Sequence, residues 1–83
     1  MIYIDFAAEQ AVVEERQNGE VLLSDGRIIA VYINEKVYVI NDFEKRERRF
    51  IRRFLQSKGM HENDSNVSYN PLEFIIAVID ASE

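Results

Sequence analysis

The chain has 83 residues, 47% of them hydrophobic and 30% charged, with three glycines, one proline and no cysteine. That length fits one domain, residues 1–83, with a modest core, and the composition excludes a disordered chain, a disulfide framework and a thiolate metal site. The net charge of −5 is unevenly spread: residues 1–42 carry eight acids and three bases, residues 43–58 two acids and seven bases, and residues 59–83 five acids and no base.

Segregated charge acts on partners more than on fold. No apolar run approaches the ~18 residues of a membrane span. The opening Met1-Ile2-Tyr3-Ile4-Asp5 lacks the basic region and cleavage site of a secretory signal. A cytoplasmic location is therefore expected, and the sequons at Asn63 and Asn66 read as chance matches.

In chain order, residues 2–4 read as a short strand. Residues 6–17 are rich in helix formers, with Asp5 to cap them and Asn18-Gly19 to stop them, which favours a helix. The rival is a strand at 12–16 joined through Asn18-Gly19 to the next one. Short Val-, Ile- and Tyr-rich runs at 20–24, 27–33 and 37–41 predict a β-meander. Asp25-Gly26 suits a two-residue turn with positive φ, and Asn34-Glu35-Lys36 is read as a three-residue loop. That register pairs Leu22 with Ile29, Leu23 with Ile28, Val31 with Val39 and Tyr32 with Tyr38. Both sheet faces are then apolar, so each needs cover.

Residues 42–57 predict an amphipathic helix opened by a capping box in Asn41-Asp42-Phe43-Glu44. Phe43, Phe50, Ile51, Phe54 and Leu55 share an arc of about 140°, and Lys45, Arg46, Arg48, Arg49, Arg52 and Arg53 lie on the opposite arc. Lys58-Gly59 supplies the stop. Residues 59–69 read as a polar loop. Asn70-Pro71-Leu72-Glu73 then has the form of a helix start, with Leu72, Ile75, Ile76 and Ile79 at helical spacing. The β-branched run 74–79 keeps a buried strand open as the alternative. The fold class is α+β: a small antiparallel meander packed against an amphipathic helix, with a flanking N-terminal helix and a C-terminal helix or strand.

Seven of the ten basic residues fall between Lys45 and Lys58. Arginine forks at Arg46, Arg48, Arg49, Arg52 and Arg53 suit phosphates or carboxylates. They make this helix a candidate strip for an acidic protein patch or, as the alternative, a nucleic-acid backbone. The competing reading is a solvated face paired with the chain's own acids, for example Glu44 with Arg48. Tyr32 and Tyr38, as cross-strand neighbours, form a second candidate surface, with homodimerisation or partner binding if no helix covers them. Glu47 falls within the apolar arc, where a carboxylate needs a partner. His61-Glu62-Asn63-Asp64 has ligand types but no metal-site spacing. No P-loop, dinucleotide fingerprint or Ser/His/Asp grouping marks catalysis, so neither enzyme activity nor a cofactor is expected.

In size, acidity, and lack of cysteine and catalytic groups, the chain resembles the small phage-encoded inhibitors of the anti-CRISPR type. The likeness covers the chain in these general properties and carries no motif. It implies a non-catalytic protein, monomer or homodimer, that blocks a larger protein or ribonucleoprotein in the host cytoplasm by contact. The arginine block departs from the acidic working surface of a DNA mimic, which points the expected contact at an acidic patch on the target.

Overall fold

The computed structural model describes residues 11–82. The expectations for residues 2–4 and for the first part of the 6–17 helix lie outside them. Within the described residues the fold is α+β, with four strands in an antiparallel meander, β1 (Ala11–Arg16), β2 (Gly19–Ser24), β3 (Arg27–Ile33) and β4 (Lys36–Val39). A short β5 (Val67–Ser68) adds in parallel beside β4, and the helices are α1 (Lys45–Ser57) and α2 (Pro71–Ser82).

Residues 11–16 form a strand, not the helix favoured from composition. Pairing decides the matter. Ala11 and Val13 alternate onto a buried face, and every residue of β1 finds a partner on β2, from Ala11 with Ser24 to Arg16 with Gly19. Helix propensity is a weak preference that a sheet ladder with a buried face overrides. Likewise, the supposed loop 59–69 contains β5, held by amide bonds such as Val37 N–H to the Asn66 carbonyl at 3.0 Å.

The register differs from the predicted one at two places. Asp25 (φ 51°) and Gly26 (φ 83°) form the expected two-residue turn, and Leu23 pairs with Ile28. A β-bulge follows, so Leu22 pairs with Ala30 and Ile29 is the extra residue. The next connection is also a two-residue turn, Asn34 (φ 52°) and Glu35 (φ 63°), with Ile33 opposite Lys36. Tyr32 therefore pairs with Val37, and Val31 with Tyr38. Because side chains alternate, the bulge and the shorter turn re-sort the faces.

One face carries Leu22, Ile29, Ala30, Val37 and Val39 with Ala11 and Val13, and packs against Phe50, Ile51, Phe54 and Leu55 of α1. Burying four such side chains contributes about 1.5–3 kcal/mol apiece. The other face carries Val21, Val31 and Ile33 and packs against Phe74, Ala77 and Ala81 of α2. Both faces of the sheet are thus covered by helices.

α1 begins three residues later than predicted. Its N-cap is Glu44, in a capping box with Glu47, rather than Asn41 with Glu44. It ends as Lys58-Gly59 suggests. Gly59 adopts φ 70°, its amide donates to the Gln56 carbonyl, and the Met60 amide reaches back to Leu55. α2 is a helix, capped by Asn70 Oδ1, which accepts from the Leu72 and Glu73 amides at 2.9 and 3.1 Å. At its other end, Asn18 donates to the Asp80 and Ala81 carbonyls, tying the β1–β2 turn to carbonyls that lack partners within the helix.

Candidate partner-binding surfaces

The charged face of α1 is exposed as predicted, but much of it is engaged by the chain's own acids. Arg46 donates to Asp25 at 2.5 Å and to Glu44 at 3.0 Å, which holds its guanidinium even more firmly protonated than usual. Arg48 and Arg52 converge on one carboxylate, Glu62, at 3.1 and 2.8 Å. The Arg52 hydrogen bond is the largest cause, with Arg48 adding to it, that holds Glu62 below the ordinary carboxylate range. Arg49 and Arg53 are exposed, and each has interactions of its own. Lys58 donates to Glu20 at 2.6 Å while lying over the Tyr32 ring. The predicted Glu44–Arg48 side-chain pair is replaced by Glu44–Arg46, with the Arg48 amide bonded to the Glu44 carbonyl.

The segment 61–64 serves this arrangement. The His61 amide donates to Asp64 and the Asp64 amide to the His61 carbonyl, forming a turn that projects Glu62 toward α1. Tyr69 donates to the Glu62 carbonyl at 3.0 Å, and burial, helped by the Glu62 charge, raises its own pKa. Among the described residues no cluster of His, Asp and Glu is arranged to hold a metal ion.

Tyr32 and Tyr38 do not form one surface. The shorter β3–β4 turn moves them to opposite faces, Tyr32 packed beside the α1 core and Tyr38 beside the α2 core, both half-buried. Glu47 finds its partners inside: it is 2% exposed, accepts from the Glu44 amide at 2.8 Å and from Arg27 at 2.9 Å. The Ser24 hydroxyl, buried without a partner of good geometry, lies near enough to contribute. Burial pushes the Glu47 carboxyl up, but these donors outweigh it and hold it below the ordinary value. These groups border a cleft of about 350 Å³ with Asp25 and Arg46, whose charges already pair across it. Its charges are mutually satisfied, which marks it as a brace between the β2–β3 turn and α1.

A further surface, not among the predicted partner-binding residues, lies on α2. Leu72, Ile75, Ile76 and Ile79 have the i, i+3, i+4, i+7 spacing of a core-facing stripe, yet they point outward, 71%, 54%, 56% and 53% exposed. The smaller Ala77 and Ala81, with Phe74, face the sheet instead. Both arcs of this helix are apolar, so periodicity alone does not say which turns inward. Small residues let α2 lie close on the sheet, and its four largest aliphatics are left outside. Their combined exposed area is roughly 400 Å², a size at which apolar patches often mark interaction sites. No helix among the described residues is long and apolar enough to cross a membrane. No family model matches the chain, and neither a curated protein nor a solved structure matches it.

Proposed function

We propose that the chain is a non-catalytic binding protein that occupies a surface on a larger protein target, in the manner of a phage-encoded inhibitor of the anti-CRISPR type. The observation that carries this reading is the outward stripe of Leu72, Ile75, Ile76 and Ile79 on α2. Exposed apolar surface lowers solubility and contributes nothing to the described core. Its retention makes sense where another protein covers it.

This moves the expected contact from the arginines and Tyr32/Tyr38 to α2. A nucleic-acid clamp has less support, since Arg46, Arg48 and Arg52 are turned to Asp25, Glu44 and Glu62, and phosphates would have to displace those carboxylates.

The test is affinity capture from bacterial lysate with the native chain and with Ile75→Ser/Ile79→Ser, each folded by circular dichroism. A stoichiometric protein held by the native chain, lost with the variant and re-formed from purified components supports the reading. DNA or RNA binding that weakens steeply between low and moderate salt, unaffected by the variant, would replace it with the clamp.

A further inference from the structure

The apolar stripe of α2 is bordered unequally. Around the helix axis, Glu73 and Asp80, seven residues apart and both exposed, lie along one margin. The opposite margin holds Pro71, Val78 and Ser82, and α2 has no lysine or arginine. We propose that the stripe receives an amphipathic helix of the partner protein. That helix would be apolar along one face and carry Lys or Arg at positions about seven residues apart on the margin that meets Glu73 and Asp80. The proposal rests on α2 being the protein-binding surface and names the chemistry of what it binds.

Two helices packed side by side lie about 8–10 Å apart, which brings residues at the margins of the contact within reach of each other. As the apolar seam closes, the two carboxylates lose solvent on one side, and cations opposite them offset that loss. A second copy of this chain fits less well. Two α2 helices related by a twofold axis and running antiparallel would set Glu73 of one copy near Asp80 of the other. That seam would crowd four carboxylates along one margin, while the nearest base, Arg16, bonds Ser82 on the opposite margin and is already paired with Glu14, on a protein carrying a net charge of −5. An anionic membrane surface meets the same repulsion.

The probes are two labelled synthetic helices of about 20 residues sharing one leucine stripe, with Lys at the margins of one and Glu at the margins of the other. Fluorescence anisotropy with the full chain should show the Lys helix binding about tenfold more tightly, as two marginal ion pairs warrant. Glu73→Lys/Asp80→Lys should reverse the order, and Ile75→Ser/Ile79→Ser should abolish both. A Lys preference that survives the charge reversal would arise from acids elsewhere and overturns the proposal. Equal affinities that Ile75→Ser/Ile79→Ser abolishes overturn the charge rule alone and leave the protein-binding reading standing. Two further results put another occupant on the stripe and overturn the proposal: a dimer in sedimentation equilibrium that Ile75→Ser/Ile79→Ser dissociates, or stripe-dependent binding to anionic vesicles. Binding of neither helix by a monomeric chain also overturns it.

Discussion

Glu47→Ala gives the sharpest test of how the β2–β3 turn is joined to α1. The substitution removes the carboxylate that accepts from the Glu44 amide and from Arg27. Losing the capping interaction costs about 1 kcal/mol, and losing a charge-assisted hydrogen bond about 1.5–3 kcal/mol. The second figure is discounted because the Arg27 side chain is 44% exposed and returns to water when released. A total of about 2–3 kcal/mol is expected, which for a domain this size lowers the midpoint by roughly 8–24 °C. Glu47→Gln keeps an acceptor for the Glu44 amide and should cost about half as much.

The pH dependence carries a definite sign. Glu47 has a folded pKa below its unfolded value, so its stabilisation is fully present above the unfolded value and is lost as pH falls through the folded one. Urea unfolding followed by circular dichroism at pH 7 and at pH 3 should therefore show a smaller acid loss for Glu47→Gln than for the native chain. Equal acid sensitivity in both, or a change below 0.5 kcal/mol for Glu47→Ala, roughly the scatter of neutral surface substitutions, would refute the reasoning.

Three further outcomes follow from the packing and the turns. Phe54→Ala, which empties a fully buried site between α1 and the sheet, should cost about 3–5 kcal/mol in the same denaturation assay. Glu35→Gly should stabilise the fold by about 0.5–1 kcal/mol, because Glu35 holds φ 63° at the second position of a turn that favours glycine there; a lower midpoint would show that its side chain is needed. Arg48→Ala/Arg52→Ala should change stability by less than about 1 kcal/mol, since both arginines are more than half exposed. Carbon-detected NMR should nonetheless show the Glu62 pKa rising toward its ordinary value, and no movement would mean the pairs are absent in solution.

Where the sequence constrained structure strongly, its reading held. The aromatic arc of α1 has one apolar side, so Phe50, Ile51, Phe54 and Leu55 had only one way to face, and Asp25-Gly26 tolerates positive φ. Elsewhere the local signal was degenerate. β3 is apolar on both faces, so nothing in Arg27–Ile33 reveals that Ile29 is the extra residue of a bulge. Asn34-Glu35 lacks the glycine that announces a two-residue turn, and the resulting one-residue slip was enough to part Tyr32 from Tyr38. In β1, single-residue propensities pointed to a helix, and pairing with β2 prevailed. For the arginines, spacing showed which face they occupy but not that Glu62, ten residues beyond Arg52, would fold back to meet two of them.

α2 holds its largest aliphatic side chains, Leu72, Ile75, Ile76 and Ile79, outside the core. Thermal unfolding of Ile75→Ser/Ile79→Ser by circular dichroism addresses that directly. Two exposed substitutions of about 0.5 kcal/mol or less each predict a midpoint within roughly 8 °C of the native chain. A fall of more than about 15 °C would place these isoleucines inside the folded molecule and contradict it.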